Sequence, residues 1–378
     1  MRYNFDKVID RSGTSAEKVE GLKHIWGRTD LIPLWVADMD FATAPFVTDA
    51  IRKRCENEVL GYTGKPDSYY NAIINWVKQR YDLVVAKEMI NFVPGIVPGI
   101  GMAMNCFTQK GDKVMIQPPV YHPFAWVTTR NERTLVTNPL KWENGMYRMD
   151  LDTFREQIKG CKLFILCNPH NPGGVVWTEA ELRAIADICY DEKVLVFSDE
   201  IHADLTLPPH THRPFATVSE KARMNSVTFM SPSKAFNMPG LSASHALIFN
   251  EDLRKRFRIY MDAGELDMGH VFAFLSVEAA YSHGTEWLDQ CLAYIQGNID
   301  FVDDFLKNHA PKIKAIRPEA SYLVWLDCRE LKLSQKDLNE FFVDKAHLAL
   351  NDGEMFGKEG IGFMRLNVAS PRCIIEKA

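Results

Sequence analysis

The 378-residue sequence has no run of about 18 or more apolar residues, so no segment reads as a membrane-spanning helix. Its start, MRYNFDKVIDRSGTS, is polar and carries acids, and lacks the apolar stretch of a secretory signal. Positive charge is not in excess: 44 Lys and Arg stand against 49 Asp and Glu, a formal net charge of -5. That balance provides no basic field to hold nucleic acid or an anionic membrane, and neither partner is expected. The eight cysteines (Cys55, Cys106, Cys161, Cys167, Cys189, Cys291, Cys328 and Cys373) include no CxxC pair and no Cys/His cluster with zinc-ligand spacing. They read as reduced thiols, no metal is expected, and a cytoplasmic location follows. Two phosphate-binding loops are missing as well. Gly95, Gly99 and Gly101 in PGIVPGIGMAM do not make GxGxxG, and no GxxxxGK[ST] occurs, which removes the nicotinamide-Rossmann and P-loop readings.

What is present is an ordinary globular composition, 46% hydrophobic and 25% charged. At this length one large domain plus a smaller one is expected. The runs KVMIQPP (113–119), KLFILCN (162–168), KVLVFSD (193–199) and SVTFMSP (226–232) read as buried strands. Between the second and third lies TEAELRAIADICYDEK, where Thr178 and Glu181 have capping-box spacing and the apolar residues share one helical face. Strand, helix, strand units of this kind build an α/β fold with a mainly parallel sheet between helices, whose ligands bind at the carboxyl ends of the strands. After residue 285 the pattern changes to a helical stretch, then KAIRPEASYLVWLD and GFMRLNVA, which fit a smaller αβ domain. The expected division is an N-terminal segment 1–49 joining the small domain, a large domain 50–285, and a small domain 286–378. The closing SPRCIIEKA begins a helix that is expected to run further.

Polar residues gather where these strands end: Asn168 and Asn171 after one, Asp199 closing the next, Ser231, Ser233 and Lys234 after another. Taken alone, Lys234 in SPSKAFNMPG could equally be a solvated lysine in a Ser/Pro turn. Asp199 argues for more, because a carboxylate ending a buried strand is costly unless a cation meets it. The segment around Gly95 reads as a turn entering a helix, with Pro98 in its first turn, and its free backbone N–H groups suit a phosphate.

NPHNPGG, SDEIH and SPSKAFNMPG, with Asn171, Asp199 and Lys234 separated by 28 and 35 residues, resemble the fold-type I enzymes of the aspartate aminotransferase superfamily, which use pyridoxal 5'-phosphate (PLP). The resemblance extends from PLWVADMDF to FMRLNVASPR. It implies that Lys234 carries the cofactor as a Schiff base, that Asp199 faces the pyridine nitrogen and that Asn171 donates to the ring oxygen. Tyr121 would stack on the ring, and Gly95, Ile96, Val97, Ser231 and Ser233 would form the phosphate cup. Tyr62, in GYTGKP, would reach the phosphate of a neighbouring subunit, making a homodimer with shared sites. Arg365 would grip the substrate α-carboxylate. As alternatives, Tyr62 and Tyr121 could be packing aromatics, Arg365 a structural ion-pair partner, and Asn168 a turn residue.

Two departures narrow the resemblance. His202 stands where many aminotransferases have tyrosine, and Ser242 where many carry arginine. Both, with PLWVADMDF and SDEIHADL, resemble the MalY/PatB branch of carbon–sulfur β-lyases of the cystathionine β-lyase type. That implies elimination from cystathionine, cysteine or other S-substituted cysteines, with Trp35 a candidate for the distal part of the substrate. Transamination on the same scaffold is the second reading, and a regulatory binding protein with secondary catalysis the third.

Overall fold

The computed structural model describes residues 3–378. Seven strands form its main sheet: β1 (Ile90–Val93), β2 (Lys113–Ile116), β3 (Thr134–Thr137), β4 (Cys161–Cys167), β5 (Leu195–Asp199), β6 (Ser226–Met230) and β7 (Ser244–Leu247). Their order is β1-β7-β6-β5-β4-β2-β3, parallel except for β7, which runs against both neighbours. The four strands expected from the sequence form the contiguous block β6-β5-β4-β2. Their apolar runs are continuous because both faces are covered: Phe164 and Leu166 of β4 join one core, Leu163 and Ile165 another. β1, β3 and β7 (INFV, TLVT and SHAL) escaped the sequence reading because four residues are too few to show a period; β2 is equally short, and stood out through its apolar VMI and the prolines after it. β2 and β6 are also shorter than expected. Pro118 and Pro119 bring no N–H to extend a ladder past β2, and the Ser231 hydroxyl turns the chain after β6 by bonding the Ala243 carbonyl.

Five helices frame the site. α1 (Asp67–Tyr81) packs its Tyr69, Ile73 and Trp76 into one core, while α2 (Ile96–Phe107) lies on the opposite face of the sheet. Gly99 permits that close approach, since a Cβ there would come within 2.9 Å of Val93 and 3.1 Å of Phe229. α3 (Glu179–Asp191) starts at Thr178 with the expected capping box. α4 (Val271–His283) packs beside α1, and after Gly284 the 25-residue α5 (Thr285–His309) begins.

Beyond α5 an antiparallel sheet contains β8 (Lys314–Ile316), β9 (Leu323–Asp327), β10 (Asn351–Asp352) and β11 (Phe363–Asn367) in the order β8-β9-β11-β10. The N-terminal segment runs along this sheet. Ile32–Pro33 pairs in parallel with Leu348–Ala349, and the Asp40 N–H donates to the Ala369 carbonyl at 2.8 Å. Residues from both ends of the chain thereby come to the carboxyl edge of the large sheet. Among the described residues no helix is long and apolar enough to cross a membrane.

Candidate active site

A cavity of about 210 Å³ opens where β4, β5 and β6 end. Asn171, Asp199, Lys234, Tyr121, His202, Ser233 and the Gly95–Ile96–Val97 turn all line it. Register explains the convergence: Cys167 is opposite Asp199, and Asp199 opposite Phe229, so three consecutive strands end at one level.

Asp199 is 3% exposed, and one backbone N–H, from Ile201, reaches its Oδ1 at 3.1 Å. Burial pushes its pKa up to about 7, helped by the neighbouring Glu200 charge and opposed by the Ile201 bond and by Lys234. The half-buried Lys234 shifts the other way, to about 8, because burial and the Arg365 charge oppose its protonation while Asp38 and Asp199 favour it. Its Nζ donates to the Ala37 carbonyl. A lysine of lowered basicity beside an underpartnered carboxyl group is suited to proton transfer near neutral pH.

The Asp199 shift has a measurable consequence. Between about pH 4 and 7 the folded, ligand-free protein keeps a proton on Asp199 that the unfolded chain has lost, so rising pH costs stability through this group. The difference in Tm between ligand-free Asp199→Asn and the parent should therefore increase from pH 4 to 7 and level off above. Melting curves across that range check it; a difference that is flat would contradict a buried, protonated Asp199.

One wall of the cavity is formed by the turn into α2. α2 begins at Ile96 after Gly95, whose φ of 149° favours glycine, and no side chain caps the helix. Ile96 and Val97, whose N–H groups no side chain caps, line the cavity together with Ser233, Ser242 and Ser244. Hydroxyls and a helix N-terminus are a suitable cradle for an anion. Ser244 was missed in the sequence, where nothing marks it as more than part of a short strand.

Arg365 sits in the middle of β11, is 3% exposed and borders the cavity through Asn171. Its Nη1 donates to Asn171 Oδ1 at 3.0 Å, and its Nη2 donates to the Trp35 carbonyl at 3.3 Å and to Asn351 Oδ1. Its guanidinium carbon lies 4.8 Å from the Phe356 ring centroid, and its Nε has no partner. Burial lowers its pKa to about 10, which leaves it charged at neutral pH. These acceptors are all neutral, so a carboxylate would be a better partner than any of them.

Three candidates lie elsewhere. The Trp35 indole donates to the Lys18 carbonyl at 2.9 Å and packs edge-on against Trp26, so only its backbone meets Arg365. Ser231 is buried beneath the lining, with its oxygen shared between the Ala243 carbonyl and the Ser233 N–H. Tyr62 is 98% exposed, in a separate depression with Lys65, Tyr70 and Met268. His202 does line the cavity, neutral because burial holds its pKa down near 3, and its Nδ1 has no partner. Asn351 and Tyr322, whose hydroxyl donates to the Ala37 carbonyl at 2.9 Å, were not singled out in the sequence.

With fold and site in view, the wider relationships are plain. The family model for aminotransferase class I and II matches residues 29–372, and the chain belongs to that family. Cystathionine beta-lyase PatB of Bacillus subtilis is 39% identical over 96% of this chain and 95% of its own length. The crystal structure of cystalysin from Treponema denticola, which contains PLP, superposes with a TM-score of 0.96 at 34% identity, covering 100% of this chain and 97% of that one. The PLP-bound C-S lyase from Staphylococcus hominis gives 0.92 at 36% identity, covering 100% and 96%.

Proposed function

We propose that this chain is a PLP-dependent carbon–sulfur β-lyase, releasing a thiol, pyruvate and ammonia from cystathionine, cysteine or related S-substituted cysteines. One observation carries the reading: a lysine of lowered basicity, a buried carboxyl group and, through Asn171, a buried arginine with neutral acceptors meet at one cavity beside an uncapped helix N-terminus. The likeness to PatB and to the two lyase structures supports it.

PLP, when bound, supplies an electron sink conjugated with the substrate Cα. Lys234 would hold it, and its Nζ, of lowered basicity, would move the proton at the substrate Cα. Asp199 would hold a proton at the pyridine nitrogen, a cation that would meet the need of its buried carboxylate. Asn171 Oδ1 is already occupied by Arg365, which leaves the Nδ2 amide to donate to the ring oxygen. Tyr121 would cover the ring and Gly95, Ile96, Val97, Ser233, Ser242 and Ser244 would hold the phosphate, all of them lining the cavity with the neutral His202. Arg365 binds the substrate α-carboxylate with its planar fork.

In this reading residues 50–285 hold the cofactor, residues 286–378 with 1–49 contribute Arg365, and the protein is a cytoplasmic homodimer. The exposed Tyr62 phenol would then complete the phosphate site of the second subunit. The purified protein, given cystathionine with no keto acid acceptor, should form thiol and pyruvate in equal amounts. Conversion of an added keto acid to its amino acid, with cystathionine turned into its own 2-oxo acid and no thiol released, would instead identify a transaminase.

A further inference from the structure

The residue after Asp199 is an unused buried acid. Glu200 is 2% exposed, and its side chain points away from the cavity. Its Oε1 accepts from the Ser198 hydroxyl and the Phe215 N–H, each at 2.8 Å, and its Oε2 from His212 Nε2 at 2.7 Å. These groups all donate, as a carboxylate requires. The chain around His212 and Phe215 is also tied to the neighbouring strand, because Asn168 Nδ2 donates to the Arg213 carbonyl at 3.2 Å. Asn168 in turn donates its backbone N–H to the Asp199 carbonyl at 2.9 Å and begins the turn that ends in Asn171.

We propose that Glu200 is a positioning residue: its carboxylate clamps the 212–215 segment beneath the adjoining ends of β4 and β5, and so fixes Asp199 and Asn171 relative to each other. The physical basis is the cost of a buried charge. With its donors in place the carboxylate is compensated, and any displacement of the β5 end breaks several charge-assisted bonds at once. An apolar replacement removes the acceptors for Ser198, His212 and Phe215 and lets the Asp199 carboxyl group and the Asn171 amide drift apart. The inference rests on the proposed reading of Asp199 and Asn171 as cofactor contacts.

The test uses the full-length protein reloaded with PLP, and measures the PLP Kd, the induced circular dichroism of the bound cofactor in the visible, and Tm. Asp199→Asn serves as a control for the underlying reading and should weaken PLP and change the dichroism. Glu200→Ala should weaken PLP by about 10-fold and reduce the induced dichroism, which reports cofactor orientation. Glu200→Gln, which keeps an acceptor for Phe215 and Ser198, should return both to within about 3-fold of the parent. If Asp199→Asn alters cofactor binding while Glu200→Ala leaves Kd and dichroism unchanged, even with a lower Tm, Glu200 only stabilises the fold and the proposal is overturned. If Asp199→Asn also has no effect, the cofactor reading fails first. Should Glu200→Ala not fold, His212→Ala removes one of the clamping bonds and carries the same readouts: a weaker Kd and reduced dichroism support the proposal, parental values refute it.

Discussion

Lys234→Ala should reduce pyruvate formation by at least ~1,000-fold, the combined loss of a covalent anchor and a proton-transfer group. The fold should survive, because among the described residues the Lys234 side chain makes a single hydrogen bond, to the Ala37 carbonyl. Lys18 is more deeply buried than Lys234, and its surroundings exclude it from this chemistry. It is paired with Asp40 at 2.8 Å and lies 3.7 Å from Asp38, so its ammonium is engaged by two carboxylates outside the cavity lining. Lys234 has no carboxylate at that range, and burial favours its neutral amine. Borohydride reduction of the PLP-loaded parent followed by peptide mapping should place the label on Lys234, and the variant should bind PLP without a reducible link. A label on another lysine, or turnover within 10-fold of the parent, would remove Lys234 from its role.

The groups legible in the sequence are those that break a rule. Asp199 at the end of an apolar run was conspicuous because buried charge is costly, whereas Lys234, which alone reads as a solvated lysine, stood out through its spacing from Asn171 and Asp199. Thr178 and Glu181 announced α3 because a capping box is a local signal, complete within four residues. Backbone contributions had no such signal. The carbonyls of Trp35 and Ala37 meet Arg365 and Lys234, yet any residue there would offer the same oxygen. Trp35 drew attention through its side chain, and it is the side chain that turns away. The antiparallel β7, which brings Ser244 to the cavity, is specified by pairing with β1 and β6 and not by its own four residues. Ser242 was noticed as a departure, and its place at the cavity wall, with φ of 47°, depends on the turn into β7.

Arg365→Ala should lower kcat/KM by ~10- to 100-fold, in line with roughly 1.5–3 kcal/mol for hydrogen bonds to a charged group. A larger share should fall on KM, since the α-carboxylate is bound in the ground state as well as in the transition state. Part of kcat should go too, because Asn171 Oδ1 loses the donor that holds its amide in one orientation. Arg365→Lys separates charge from shape. It restores a cation but not the fork that spans Asn171 and Asn351, and so should recover only part of the loss. A structural role would predict something different: lower Tm in both variants, with substrate discrimination intact. The deciding comparison is therefore between an S-substituted cysteine and its α-carboxamide. The parent should strongly prefer the carboxylate, because the amide leaves the buried guanidinium without an anion. Arg365→Ala should lose most of that preference, and a preference that persists undiminished would show that Arg365 does not hold the substrate.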